Sequence, residues 1–291
     1  MTMAVDLLVV GGTGLAGRAI VAAARQRGLS VRSLARTGDL RVDIRDADAL
    51  RRSLTQTPAR TIVNAAAMVS LPACEQDPAA AWMVNARPAA IIAAHADATA
   101  TRFVQVSTDH YYCGDGRRAH SEDEPVVLVN EYSRTKYAAE ALTLTAAGSL
   151  IVRTNFVGWP STGGTSFAEW AMGVIAQDAP ADLFDDQFVS SLDLWTFADS
   201  LLDLAEAPIT GVVNLAASEV FSKADFVTAL ASGLGRTLSN VRHTAVKGQS
   251  TKRADSLGLD VSKATRSLGR DLPTLDQVIK TLVAHSPEWR P

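Results

Sequence analysis

The run "LLVVGGTGLAGRAIVAAARQRG", beginning at Leu7, constrains this chain more than any other stretch. Four apolar residues end abruptly at a cluster of glycines, and an alanine-rich pattern of helical period follows at once. Where a buried strand turns sharply into a helix, the first N–H groups of the helix are unpaired and carry a partial positive charge. Gly11, Gly14 and Gly17 stand at G-x-x-G-x-x-G spacing across that turn, with Thr13 and Leu15 between them. The first glycine permits unusual backbone angles and the second a close approach to a ligand. The third lets helix and strand pack tightly. A flexible turn is the bland alternative, but the strand before and the helix after favour a seat for the pyrophosphate of a dinucleotide.

The alternation continues. "DLLVV" (6–10), "SVRSLA" (30–35), "TIVNAA" (61–66), "RFVQVS" (102–107) and "LIVRT" (150–154) read as buried strands, with helices expected near 15–27, 46–55, 79–96 and 131–147. That order implies an α/β fold, a doubly wound parallel sheet with helices on both faces. The second half is less regular. "GWPSTGGTSF" (158–167) reads as loop, "GVVNLA" (211–216) as a further strand, and "SKADFVTALASGLG" (222–235) as a helix with Ser222 as N-cap. A polar, basic stretch containing Lys247 and Lys252 and a last helix near 274–285 follow. The expected plan is a cofactor-binding domain over 1–155 with a return strand near 211–216. Residues 156–210 and 217–291 would mainly form a smaller, discontinuous C-terminal substrate lobe.

Composition narrows the function classes. With 47% hydrophobic and 20% charged residues and a net charge of −3, the 291 residues show no bulk attraction for nucleic acid or an anionic membrane. Cys74 and Cys113 lack metal-ligand or disulfide spacing, and Asp185–Asp186 stand without further ligands, so no metal is expected. The N-terminus lacks a basic leader, and no uncharged apolar run approaches the roughly 18 residues of a membrane span. A soluble cytoplasmic protein is expected.

Two features bear on the dinucleotide. At the end of the second strand an acid would hold the adenosine ribose of NAD, but "SLARTGD" offers Ser33 and Arg36, with the first acid at Asp39. Arg36 suits a 2′-phosphate, so NADP(H) is preferred and NAD(H) is the alternative; a solvated Arg36 remains open. Asp43 in "VDIRD", with Ile44 beside it, is placed to touch the adenine amino group or to cap a helix.

In "NEYSRTKYAAEAL", Tyr132 and Lys136 lie four residues apart, on one face of a helix. A tyrosine with a reference pKa of about 10 becomes an acid–base catalyst near neutrality when a cation stands beside it. "QVSTDHYY" adds the polar run Ser107-Thr108-Asp109 at the carboxyl end of a strand, where ligands bind in doubly wound sheets.

Taken with "GGTGLAG", "TIVNAAAMVSLPACEQDP", "VNARPA", "VSTD", "EYSRTK", "VRT" and "DDQF", these residues resemble an extended short-chain dehydrogenase/reductase with a Rossmann domain. Within that group the chain is most similar to the dTDP-4-dehydrorhamnose reductase family, densely to about residue 155 and sparsely beyond. "RADSLGLD" is a weaker match, because the family usually has an Arg-Pro start there.

The resemblance implies that Tyr132 protonates the substrate carbonyl oxygen, and that Lys136 holds the nicotinamide ribose hydroxyls and lowers the tyrosine pKa. Thr108, by its interval to Tyr132, matches the Ser/Thr that orients the carbonyl, with Ser107 as fallback. Ala65, Ala66 and Ala67 would line the cofactor. Asn85 matches a recurrent Asn, though a buried amide explains it equally. Asp109, His110, Arg153, Asn155, Gln187 and Arg253 would meet a nucleotide-sugar substrate, Arg253 being best placed for its diphosphate.

The chain also departs from the family. His110-Tyr111-Tyr112 replaces Tyr-Val-Phe, and Leu128 and Ser133 replace a proline and an aromatic-glycine beside the catalytic tyrosine. The activity implied is NADPH-dependent reduction of a nucleotide-linked 4-keto-6-deoxy sugar, in deoxysugar biosynthesis. An epimerase or dehydratase with tightly held NAD, or a non-catalytic NADP-binding regulatory subunit, are the alternatives. A homodimer is compatible with it.

Overall fold

The computed structural model describes residues 4–159, 166–245 and 253–286; Lys247 and Lys252 lie outside them. The chain runs β1 (Val5–Val10), α1 (Leu15–Gln26), β2 (Val31–Ala35), β3 (Leu40–Arg41), α2 (Ala47–Gln56), β4 (Ala59–Asn64), α3 (Leu71–Gln76) and α4 (Pro78–Asn85). Then come α5 (Arg87–Thr99), β5 (Arg102–Val106), α6 (Glu131–Thr143), β6 (Leu150–Thr154), β7 (Phe156–Val157), α7 (Phe167–Gln177), β8 (Ala181–Phe184), β9 (Phe188–Val189) and β10 (Leu192–Asp193). Last are α8 (Leu194–Glu206), β11 (Gly211–Leu215), β12 (Phe221–Ser222), α9 (Lys223–Gly233), β13 (Val241–Thr244), β14 (Ser256–Leu257), α10 (Ser262–Leu268) and α11 (Leu275–Ala284).

Two compact units result. The first comprises the chain up to Thr108, Leu128–Arg153 and Ala198–Val213. Its sheet is parallel and seven-stranded, in the order β11-β6-β5-β4-β1-β2-β3. The order reverses at β1, with β2 on one side and β4 on the other, which opens a crevice at their carboxyl ends. Leu50 and Leu54 of α2, Ile92 of α5 and Ala139 of α6 share one buried cluster with Leu8, Leu34, Ile62 and Phe103 of the strands. Each such Leu, Ile or Phe contributes about 1.5–3 kcal/mol on burial.

The expected single helix over 79–96 is two helices. Pro88 lacks an N–H to continue the ladder, so it sits in the first turn of a new helix, α5, after a break at Ala86.

The second unit comprises Asp109–Val127, Thr154–Phe197 and the chain from Asn214 on. These units differ from the sequence expectation chiefly where 109–127 leaves the first domain and 198–210 returns to it. In this unit β9 pairs with β12 and β14, and β8 pairs with β13. Helix α9 begins as expected at Ser222, whose hydroxyl accepts from Asp225 N–H in a capping box. Segment 109–127 is stitched to the stretch after Arg253. Gly114 N–H donates to Asp255, Asp115 N–H to Ser256 Oγ, and His120 N–H to the Gly258 carbonyl.

Candidate active site

The glycine turn is built as a cradle with no room for side chains at Gly11, Gly12 or Gly17. Gly11 has φ +78°, and a β-carbon there would lie 2.6 Å from Ala66 N. A β-carbon on Gly12 would meet Ser33 Cβ at 2.5 Å, and one on Gly17 would meet the Gly11 carbonyl oxygen at 2.2 Å. Gly14 is open, with only that same oxygen at 3.4 Å. It stands at the N-cap of α1, which has no side-chain cap, unlike α2, α6 and α9. Bare backbone and uncapped N–H groups facing the crevice fit a pyrophosphate.

Ala65, Ala66 and Ala67, half-buried after β4, form the opposite wall. The Asn64 carboxamide fixes them, accepting from Ala66 N–H and donating to Gln105.

At the adenosine end Arg36 is exposed. Asp39 is exposed, its carboxylate accepting from Ser33 N–H and Oγ, and it lies 3.7 Å from Arg25. Asp43 does not cap α2, whose N-cap is Asp46. Arg45 holds the Asp43 carboxylate through Nε and Nη2, lowering its pKa to about 2, and Arg36 adds a further positive charge.

The catalytic candidates belong to the same unit. Helix α6 starts at a capping box in which Asn130 accepts from Ser133 N–H while Ser133 Oγ accepts from Asn130 N–H. Ser133 thus has a local role of its own: as the third residue of the helix it closes the capping box around Asn130, just after Tyr132. Tyr132 is buried against Leu71, Cys74 and Ala81. One turn on, Lys136 is buried and donates from Nζ to the Val106 carbonyl at 2.7 Å. Burial pushes its pKa down to about 8, while Glu140 acts in the opposite direction. Thr108 is buried two residues beyond Val106.

Asn85 joins two walls of the site. It accepts from Met68 N–H, and it donates to the Met68 carbonyl and to Thr135 Oγ1 on α6.

Arg153 calls for a correction. The sequence reading made it a candidate for the nucleotide-sugar substrate, but its side chain is 4% exposed and pairs with Glu140 at 2.8 Å. The Ser107 hydroxyl donates to the same carboxylate at 2.5 Å. Glu140 itself went unread in the sequence, although it continues the four-residue spacing of Tyr132 and Lys136.

In the second unit Asp109 is buried and accepts from Asn155 Nδ2 at 2.6 Å, while Ser191 Oγ donates to Asn155. Burial lowers the His110 pKa and Asp109, 4.0 Å away, raises it; Lys223 and Arg253 lower it further. Gln187 is buried, with its carbonyl accepting from Lys223 N–H, and Arg253 is exposed. Sequence reasoning missed Lys223, reading it only as helix. Its ammonium lies 5.4 Å from the centroid of Phe167, in a cleft of about 180 Å³ also lined by Trp170, Asp182, Phe184 and Val227.

A doubly wound sheet, a glycine cradle at its switch point and a buried Tyr–Lys helix face define an NAD(P)-dependent oxidoreductase of the short-chain dehydrogenase/reductase type. The chain belongs to the RmlD substrate binding domain family, whose model matches residues 5–287.

Relatives agree. A Haloferax volcanii protein named "Probable low-salt glycan biosynthesis reductase Agl14" is 28% identical over 95% of this chain and 96% of its own. The dTDP-4-dehydrorhamnose reductase of Streptomyces griseus is 31% identical over 70% of this chain and 66% of its own. The fold matches the crystal structure of dTDP-4-dehydrorhamnose reductase from Bacillus anthracis in complex with NADP. The TM-score is 0.87 at 17% identity, covering 98% of this chain and 100% of that one. Among the described residues no helix is long and apolar enough to cross a membrane.

Proposed function

We propose that the protein reduces a nucleotide-linked 4-keto-6-deoxy sugar with NADPH, and that Tyr132 is the general acid. The observation that carries this reading is the anchoring of Lys136. Its ammonium is tied to the end of β5, two residues before Thr108, and stands one helical turn from Tyr132. When bound, the nicotinamide supplies the hydride that reduces the keto carbon.

The chain's residues do the rest. Thr108 hydrogen-bonds the keto oxygen and orients it. Tyr132 donates its phenolic proton as negative charge develops on that oxygen. Lys136, charged below its pKa of about 8, holds the ribose hydroxyls and favours the phenolate that remains. Gly11 to Gly17 would seat the pyrophosphate and Arg36 would meet the 2′-phosphate. On the substrate side, the aromatic cleft of Phe167, Trp170 and Phe184 suits a nucleobase, with Lys223 and Arg253 as cations for a diphosphate.

A panel of nucleotide 4-keto sugars, scored by loss of NADPH absorbance, tests the reading. Turnover is expected with at least one, and Tyr132→Phe should abolish it while leaving NADPH affinity within about twofold. Full turnover by that variant would overturn the role of Tyr132. Purification with tightly retained NAD and no net reduction would point to epimerisation instead.

A further inference from the structure

One turn beyond Lys136 on α6, Glu140 sits in a buried polar group that the reaction above does not use. Its Oε1 accepts from Ser107 Oγ at 2.5 Å and from Arg153 Nε at 3.1 Å. Its Oε2 accepts from Arg153 Nη2 at 2.8 Å, and both ionic side chains are under 5% exposed. Tyr132, Lys136 and Glu140 thus follow one another turn by turn down a single buried face of α6.

The end of β5 is bonded to two successive turns of that face. Val106 accepts from Lys136, and the next residue, Ser107, donates to Glu140. Thr108 follows immediately, so its height along α6 is set by the two residues before it.

The charges form a balance. A buried ammonium is disfavoured by desolvation, and a carboxylate one turn away is its natural compensation. A free Glu140 carboxylate, one turn from Lys136, would attract the ammonium in competition with the Val106 carbonyl. Arg153 reaches in from β6 and holds that carboxylate with Nε and Nη2, an arrangement that competes with such a pairing. Lys136 donates to the Val106 carbonyl of β5, and Ser107 of β5 and Arg153 of β6 are held on Glu140. Glu140 is the charge that acts on Lys136.

We propose that Glu140, restrained by Arg153, is a positioning residue for the catalytic pair: it sets how much of Lys136 is charged and, through Ser107, where Thr108 stands. This rests on Tyr132 and Lys136 being the reacting pair, but the Lys136 midpoints that test it need neither cofactor nor substrate.

The chain has six lysines, so ¹³C-ε-lysine NMR can follow each, with the Lys136 signal assigned by its loss in Lys136→Met. Glu140→Gln should lower the Lys136 midpoint by about one unit, because only attraction is removed. Arg153→Met should raise it by about one unit, because the freed carboxylate turns to Lys136, and Arg153→Lys should restore it toward wild type. Ser107→Ala should leave the midpoint in place and reduce kcat with little change in KM for NADPH.

Shifts of the same sign for Glu140→Gln and Arg153→Met, or none, would overturn the proposal, since a merely structural pair predicts no opposition. Should Arg153→Met not fold, an unmoved midpoint in the isosteric Glu140→Gln decides against it. Absence of turnover with every keto sugar would overturn the proposed reaction and leave these midpoints standing.

Discussion

Gly17 of α1 and Gly11 of the preceding turn are in backbone contact: a β-carbon on Gly17 would come 2.2 Å from the Gly11 carbonyl oxygen and 2.7 Å from Gly12 Cα. Neither neighbour is the end of a flexible side chain, so the helix must move. Gly17→Ala is expected to cost about 1–3 kcal/mol, read as a lower denaturant midpoint. Gly14→Ala is the control, because its φ of −74° suits alanine and a β-carbon meets only one oxygen at 3.4 Å. That variant should unfold like wild type yet bind NADPH at least about tenfold more weakly, since the methyl would stand where the proposed pyrophosphate approaches. Undiminished affinity would place the pyrophosphate elsewhere.

The pH profile should carry the mark of Lys136. A lysine in water stays charged to about pH 10.4, but burial moves this one to about 8. The group is a base whose pKa is lowered, so the active ammonium form is present below pH 8 and lost as pH rises through it. kcat/KM for NADPH-dependent reduction should therefore fall about tenfold per unit above pH 8, well before ordinary lysines titrate. A profile flat to pH 9.5 would show that Lys136 remains charged or that its charge is not needed.

Most of the first unit was readable because it is locally encoded. Five apolar runs and the strand near 211–216 match β1, β2, β4, β5, β6 and β11 to within a residue or two, and the helix of Tyr132 begins at 131 as expected. What failed depended on partners distant in the chain. Arg153 and Glu140 are thirteen residues apart and meet only because β6 lies beside β5 under α6, which no periodicity reveals. The break at Ala86 had a legible signal in Pro88, overlooked because the surrounding alanines carry the helical pattern through it. Lys223 was hidden differently. It occupies the first position of a helix, where a lysine reads as a solvated end, and only tertiary packing buries it beside Phe167.

Thr108 and Ser107 can be told apart by substitution. Ser107 has its hydroxyl on Glu140, whereas Thr108 is the residue whose interval to Tyr132 suits a contact with the keto oxygen. Thr108→Ala should lower kcat by about 10²-fold, the cost of losing one donor to a developing oxyanion, and Thr108→Ser should recover most of it. Steady-state kinetics with the accepted keto sugar decide this. A larger loss in Ser107→Ala than in Thr108→Ala would exchange their roles.

Lys223 offers a test of the substrate side alone. Burial lowers its pKa, Arg253 lowers it further, and Asp109 opposes both. Two cations thus act on each other in a setting where one buried carboxylate, itself hydrogen-bonded to Asn155, offsets them. An arriving diphosphate brings negative charge to the pair and relieves their repulsion, while the rings of Phe167 and Trp170 give a base a flat apolar wall. Lys223→Met keeps the unbranched apolar stem, one atom shorter, and removes the charge. KM for the nucleotide sugar should rise about tenfold and lose much of its dependence on salt, with KM for NADPH unchanged. Equal rises in both constants would mean that the substitution disturbs the fold, and no rise in either would remove Lys223 from the substrate site.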